Sequence, residues 1–121
     1  GQSKKYLDPE YINAYSLQHS KGIYEGQRAT TEEKRVVNLT RSAFSGQQRY
    51  GAITWSGDTA AKWDTLRKQI PAGLNFVATG VPYWTSDIGA FFTAKKEQWF
   101  WGGDYNDGCE DPAYRELYLR W

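Results

Sequence analysis

Helices and strands are interspersed along this chain, and no hairpin dipeptide joins one strand to the next. Apolar spacing and β-branched content predict six elements: helices at residues 9–21, 60–75 and from 112 onwards, and strands at residues 35–40, 52–55 and 80–85. Strands that are not joined by hairpins need longer crossover connections and run parallel. The order of elements therefore predicts an α/β fold built from parallel βα units.

Aspartate, glycine and proline residues set the predicted helix ends. Asp8 and Asp111 each precede a proline, which is typical of a helix start with an aspartate cap. Gly22 is expected to end the first helix before a polar loop at residues 26–34. Pro71 is expected to bend or break the last turn of the second helix. Each helix has an apolar face predicted to be buried: Ile12, Tyr15 and His19; Trp63, Leu66, Ile70 and Leu74; Tyr114, Leu117, Tyr118 and Trp121.

Length and charge exclude several classes of protein. The chain has 121 residues, enough for one domain but fewer than the ~250 residues of a complete (β/α)8 barrel. Its net charge of +1, with basic and acidic residues interleaved, predicts no nucleic-acid or membrane partner, and no stretch reaches the ~18 apolar residues of a membrane span. Cys109 is the one cysteine, so neither an internal disulfide nor a cysteine metal cluster is possible.

The candidate functional residues follow the predicted strands, because parallel βα units carry their chemistry at the carboxyl ends of strands. These positions are Arg41, Trp55 to Asp58, and Asp87 to Phe91. Asp58 beside Trp55 suits a general acid, since a partly dry aromatic pocket favours the protonated carboxyl; a helix cap is the alternative. Arg41 could bind a hydroxylated or anionic ligand, or form an ordinary ion pair. Asp87 could act beside its aromatic neighbours or serve as a cap or turn residue.

The sequence predicts no metal site and no cofactor. Residues 104–108 (DYNDG) resemble a calcium loop, but the glycine falls at the fifth position and the closing glutamate is missing, so a plain turn is favoured. His19 is the one histidine, which leaves no support for a histidine metal site or a catalytic triad.

Three segments resemble glycoside hydrolase family 31, the retaining α-glucosidases and α-xylosidases. They are residues 38–51 (NLTRSAFSGQQRYG), 55–58 (WSGD) and 80–91 (GVPYWTSDIGAF), in the order and spacing of the family. The resemblance extends over essentially the whole chain. It implies a partial (β/α)8 TIM barrel, roughly strands five to seven with their helices. Residues 1–121 would then be a fragment of a catalytic barrel domain.

The resemblance also implies roles for the candidate residues. Asp58 matches the general acid/base of the family, and Arg41 and Trp55 match residues that line the subsite for the cleaved sugar. Asp87 and Phe91 match residues that shape the same pocket. The implied substrate is an α-linked oligosaccharide, and the chemistry runs on carboxylates without a cofactor.

Two family features are missing from the sequence. The nucleophile is expected in an upstream Trp-x-Asp-x-x-Glu segment and a substrate-binding His downstream, and neither occurs here. The chain is therefore expected to be an inactive piece of a longer exo-acting retaining α-glycosidase, closer to the α-xylosidases in its YEGQR and GQQRYG stretches. Two alternatives stay open: a non-catalytic carbohydrate-binding module, suggested by 17% aromatic residues, and a stand-alone half barrel whose strand edges favour self-association.

Overall fold

The computed structural model describes residues 8–95 and 102–121. It contains three α-helices, α1 (Tyr15–Thr30), α2 (Trp63–Ala78) and α3 (Pro112–Arg120), and three strands, β1 (Asn38–Thr40), β2 (Ala52–Trp55) and β3 (Trp84–Thr85). Short 3-10 helices lie at Pro9–Ala14, Gln47–Tyr50 and Gly108–Glu110. None of the described helices has the length and apolar character that a membrane span requires.

The strands form one sheet in the order β1-β2-β3. β1 and β2 run parallel, with Asn38 opposite Ala52 and Thr40 opposite Thr54. The Thr54 N–H donates to the Tyr83 carbonyl at 2.9 Å and so joins β2 to the approach to β3. These contacts confirm the predicted α/β class with parallel pairing.

The chain divides into two compact units. The first unit consists of Gly1–Thr54 and Phe76–Trp84, and the second of Trp55–Asn75 and Thr85–Trp121. The chain passes from one unit to the other three times, at the end of β2, inside α2 and inside β3. Each unit is therefore assembled from sequence-distant segments.

In the first unit, α1 turns small side chains toward the core. Its buried residues are Ser16 and Ser20, one helical turn apart. Tyr15 is 53% exposed and His19 is exposed, so the prediction that these two rings are buried is wrong. The serines allow close approach to β1, where buried Asn38 donates from Nδ2 to the Tyr50 carbonyl at 3.0 Å.

The core of the second unit is built on α3. Tyr114 and Leu117 are buried as predicted, together with Ala61, Ala90 and Tyr105, and Leu66 and Trp121 pack against them. The predicted apolar face of α2 is only partly used, because Ile70 and Leu74 are 62% and 65% exposed and Trp63 is 49% exposed. The described residues thus leave most of that face in water.

Several element boundaries differ from the prediction. Helix α1 continues through Gly22 to Thr30, so the first part of the predicted loop at 26–34 is helical. Helix α2 contains Pro71 and still reaches Ala78. Its last turn is held by Phe76, whose ring stacks on Trp84 with centroids 4.6 Å apart. Relative to alanine inside a helix, a glycine costs about 1 kcal/mol and a proline about 3 kcal/mol. Tertiary packing can offset costs of this size.

Two strands are shorter than predicted. β1 begins at Asn38 rather than residue 35, and β3 is limited to Trp84–Thr85. Before β3, the Val81 N–H donates to the Phe76 carbonyl at the end of α2, at 3.0 Å, and not to a strand. Pro82, which has no N–H, cannot join a ladder as a donor. The polar, glycine-rich composition of residues 93–110 predicts a long loop there, and this stretch lies partly outside the described residues, at 96–101.

Candidate active site

Arg41 follows β1 directly and lies in the first unit. A short turn holds the backbone here, because the Ser42 N–H donates to Thr40 Oγ1 at 3.3 Å. The next loop is fixed by Gln47, which is fully buried. Its Nε2 donates to the Ser42 carbonyl at 2.9 Å, and its Oε1 accepts from the Phe44 N–H at 3.0 Å. Gln47 therefore stabilises the loop that begins at Arg41.

Trp55 and Asp58 lie at the carboxyl end of β2, in the second unit. Trp55 is the last residue of the strand and is half-buried, as is Asp58 three residues later. Asp58 lines a pocket of about 410 Å³ together with Ser56, Thr59, Ala60, Lys62 and Thr65. Asp58 thus lines a concave surface at the carboxyl end of a strand, the position that parallel βα units give to functional side chains.

Backbone hydrogen bonds tie the Asp58 loop to the segment that ends at Phe91. The Thr59 carbonyl accepts from the N–H groups of Phe91 and Phe92, at 3.0 and 2.9 Å. The Ala61 N–H donates to the Phe92 carbonyl at 2.8 Å, and Ala60 and Phe92 form a parallel bridge. The structure therefore brings the predicted residues Trp55, Asp58, Asp87 and Phe91 into one unit, on segments joined by main-chain contacts.

A tight turn carries Asp87 and Phe91. The Ala90 N–H donates to the Asp87 carbonyl at 3.0 Å, and Gly89 and Ala90 both have positive φ, at 77° and 70°. Asp87 is half-buried, whereas Phe91 is 56% exposed and meets Phe92 edge to face at 5.0 Å. A turn of this kind fixes the main chain while leaving one aromatic face open to a ligand.

Helix α3 supports this turn from the other side. Trp121 donates from its indole Nε1 to Ser86 Oγ at 3.0 Å. A Cβ at Gly89 would lie 2.5 Å from Cδ2 of Tyr118 and 2.7 Å from the Tyr114 hydroxyl, so only glycine permits this approach. The turn is therefore held between the Asp58 loop and α3.

The Asp58 pocket also contains two hydroxyls: that of Ser56, within the predicted stretch from Trp55 to Asp58, and that of Thr59, which lies outside it. Ser56 Oγ and Thr59 Oγ1 are buried and have no hydrogen-bond partner among the described residues. Because a buried hydroxyl without a partner is costly, such groups are expected to meet a ligand or a bound water. Proximity to Trp55 and Asp58 in the sequence was the available signal, since serine and threonine alone are too common to single out.

Metal-binding groups do not gather in the part of the chain that the structure describes. No three His, Cys, Asp or Glu side chains cluster there. In the loop at residues 104–108, Asp104 pairs with Lys62 at 3.7 Å, and Asn106 Oδ1 accepts from the Lys95 N–H at 3.0 Å. Both side chains thus have partners within the protein, and Asn106 bridges to a distant segment instead of bonding its own turn.

Burial and charge shift three ionisable groups of the second unit. Burial raises the pKa of Tyr105 and of Tyr114, and the carboxylates of Asp104 and Asp111 add to the effect at Tyr105. On α2, hydrogen bonds from Lys68 and Arg67 lower the pKa of Asp64.

The model of the glycosyl hydrolases family 31 TIM-barrel domain matches residues 2–121 of this chain. The chain belongs to glycosyl hydrolase family 31. An α-xylosidase of Saccharolobus solfataricus is 53% identical over 112 residues, covering 93% of this chain and 13% of the relative. These two matches confirm the resemblance of the three sequence segments to family 31, a family of glycosidases.

Solved structures of family 31 enzymes have the same fold. A family 31 α-xylosidase from Xanthomonas citri superposes with a TM-score of 0.74 at 40% identity, over 93% of this chain and 11% of that one. A family 31 α-xylosidase from a soil metagenome, solved in complex with xylose, gives a TM-score of 0.70 at 38% identity over 89% and 14%. The chain therefore spans less than a sixth of the length of these family 31 relatives.

Proposed function

We propose that this chain is a segment of the catalytic barrel domain of a retaining exo-α-glycosidase, with Asp58 as its general acid/base. The observation that carries the proposal is the pair of hydrogen bonds from Phe91 and Phe92 to the Thr59 carbonyl. They hold the Asp58 loop against the turn with Asp87 and Phe91. A carboxylate that lines a pocket beside a fixed aromatic turn is the arrangement needed to protonate a leaving oxygen and later to activate water.

Of the remaining candidate residues, Trp55, Asp87 and Phe91 of the second unit contribute to the sugar subsite in this proposal. Phe91 and Trp55 offer aromatic faces to the apolar side of a sugar ring. Asp87 offers an acceptor for sugar hydroxyls. For Arg41, in the first unit, the proposed role as a donor to sugar hydroxyls rests on the family resemblance alone. The segment corresponds to strands five to seven of the barrel, and the nucleophilic carboxylate lies in another part of the protein. A retaining enzyme needs the two carboxyl groups about 5–5.5 Å apart.

The substrate in this proposal is an α-linked oligosaccharide that ends in xylose. The support is the similarity to α-xylosidases, at 53% identity to the S. solfataricus protein and in the solved structure that holds xylose. Glucose-terminated substrates are the alternative within the same family.

The test is Asp58→Ala in the full-length protein that contains this segment. An oligosaccharide has a poor leaving group and needs protonation, whereas an activated aryl α-xyloside does not. We expect kcat/KM to fall by about 10²–10⁴-fold on the oligosaccharide and far less on the aryl substrate. Added azide, a nucleophile that needs no general base, should attack the glycosyl-enzyme, restore turnover of the aryl substrate and yield the glycosyl azide.

Asp64→Ala is the matched control, because Asp64 is an exposed carboxylate on α2 that pairs with Arg67 and Lys68. It should leave both rates unchanged. An equal loss on both substrates in Asp58→Ala, with no effect of azide, would remove Asp58 from the acid/base role.

A further inference from the structure

Three arginines line a second pocket, which belongs to the first unit and contains none of the residues proposed for catalysis. The pocket has a volume of about 450 Å³, and Arg28, Arg35 and Arg49 contribute to its lining. Small-molecule sites usually enclose about 300–1,000 Å³, so the pocket is large enough for a metabolite.

Arg28 is held in place by the backbone at the end of α1. Its side chain is half-buried, and Nη1 donates to the carbonyls of Glu32 and Lys34 at 3.3 and 2.9 Å. A guanidinium has five N–H donors, and no hydrogen bond from Nε or Nη2 of Arg28 occurs among the described residues. A charged donor group is thus fixed at the pocket before any ligand arrives.

No carboxylate balances this charge among the described residues that line the pocket. The ion pairs of the described chain involve other basic residues, and the nearby Glu25 pairs with Lys21 at 3.8 Å. Three positive charges meet here in a chain whose net charge is +1. Like charges in one concave surface repel each other and attract an anion.

Other residues that line the pocket are apolar or aromatic. They include Val36, Ile53 and Tyr83, of which Val36 is buried and Tyr83 is 55% exposed. Gln48 also lines the pocket, and its buried Oε1 has no hydrogen-bond partner among the described residues. The surface therefore combines anion-binding donors with apolar and aromatic groups.

We propose that the arginine pocket, defined by Arg28, Arg35 and Arg49, binds the carboxylate or phosphate group of a small organic molecule. Arginine matches both groups with two parallel N–H bonds. The body of the ligand packs on Val36, Ile53 and Tyr83. This ligand is distinct from the neutral oligosaccharide of the proposed active site.

The experiment is equilibrium dialysis of the full-length protein that contains this segment against radiolabelled inorganic phosphate and, separately, radiolabelled benzoate. We expect saturable binding of at least one probe, which identifies the preferred head group. Arg35→Gln and Arg49→Gln should each weaken that binding at least about tenfold, the effect of losing a hydrogen bond to a charged group. Arg35→Lys, which keeps the charge and loses the fork, should give an intermediate loss.

Arg67→Gln is the control, since it removes one positive charge from α2 without changing the pocket. It should bind as the unaltered chain does. Far-UV circular dichroism of every variant excludes unfolding as the cause of a loss. The proposal would be overturned if neither probe binds, or if Arg67→Gln weakens binding as much as the pocket variants do. It would also be overturned if probe uptake does not saturate and is suppressed by chloride at equal ionic strength.

Discussion

Gly89 is the residue where backbone geometry and packing are most tightly coupled. Its φ is 77°, and an added methyl group would meet both Tyr114 and Tyr118 of α3. Gly89→Ala should therefore lower the free energy of unfolding by about 1–3 kcal/mol, from strain in the left-handed region and from overpacking. Urea denaturation of the 121-residue chain measures the loss.

Gly22→Ala is the matched control, because Gly22 lies inside α1 with nothing within 4 Å of an added Cβ. That substitution should raise the free energy of unfolding by about 0.5–1 kcal/mol, since alanine loses less backbone entropy in a helix. Equal effects of the two substitutions would contradict the packing described for Gly89.

The Tyr114 hydroxyl gives stability a dependence on alkaline pH. Burial raises the pKa of Tyr114 in the folded chain, so the unfolded chain loses this proton first as pH rises above about 10. The folded state then binds more protons than the unfolded state, and the free energy of unfolding falls as pH rises through the folded pKa. In Tyr114→Phe, the free energy of unfolding measured by urea titration should fall less steeply as pH rises above about 10. Identical slopes would show that Tyr114 does not contribute.

The positions of the candidate residues could be predicted from the sequence, but their supports could not. Strand ends and the WSGD segment pointed to Asp58, and the structure puts it in the lining of a pocket. The Thr59 carbonyl that accepts from the Phe91 N–H could not be predicted, because a main-chain hydrogen bond between distant segments requires no particular residue type. Gln47 was overlooked for a related reason: a polar residue in a polar stretch gives no sign of being fully buried.

Pro71 is the main test at the level of elements, because α2 continues through it to Ala78. A proline inside a helix lacks one backbone donor and costs about 3 kcal/mol relative to alanine, partly offset by its restricted unfolded state. Pro71→Ala should thus raise the free energy of unfolding by about 2 kcal/mol in urea. Ala72→Gly, its neighbour in the same helix, should lower it by about 1 kcal/mol. A loss of stability in Pro71→Ala would mean that the fold depends on a bend at this proline.

The helix starts after Asp8 and Asp111 were predicted correctly, whereas α2 begins at Trp63 and not at residue 60, and the helix ends were predicted poorly. Asp8 and Asp111 both cap as expected, accepting from the N–H groups of Glu10 and Ala113 at 3.0 and 2.8 Å. These caps are local interactions between neighbours, so the sequence contains them completely. The end of α1 instead depends on tertiary contacts, such as the approach of Ser20 to Asn38, that override the weak stop at Gly22.

Exposed apolar surface should make the whole molecule self-associate. Ile70 and Leu74 are more than half exposed on α2, and β1 and β3 are the outer strands of the described sheet. Such surfaces favour association between copies. Sedimentation equilibrium of the 121-residue chain should show reversible oligomers, weakened in the Ile70→Lys, Leu74→Lys double variant. A monomer over the whole concentration range would contradict this expectation.

Catalysis should require more of the molecule than this chain. The purified 121-residue chain is expected to give no turnover of an aryl α-xyloside, because its sequence lacks the Trp-x-Asp-x-x-Glu segment that the family resemblance implies for the nucleophile. The full-length protein should turn over the same substrate. Measurable hydrolysis by the chain alone, lost in Asp58→Ala, would place the second carboxylate within it.

The threefold passage of the chain between its two units restricts how family members can exchange sequence. A hybrid with one crossover at residue 55 would take residues 1–54 from one parent and the rest from another, so Phe76–Trp84 would meet a foreign partner inside the first unit. A recombination that keeps the segments of each unit together has to transfer residues 55–75 and 85–121 as one block. Chimeric enzymes built from this segment therefore need three breakpoints, after residues 54, 75 and 84, instead of one.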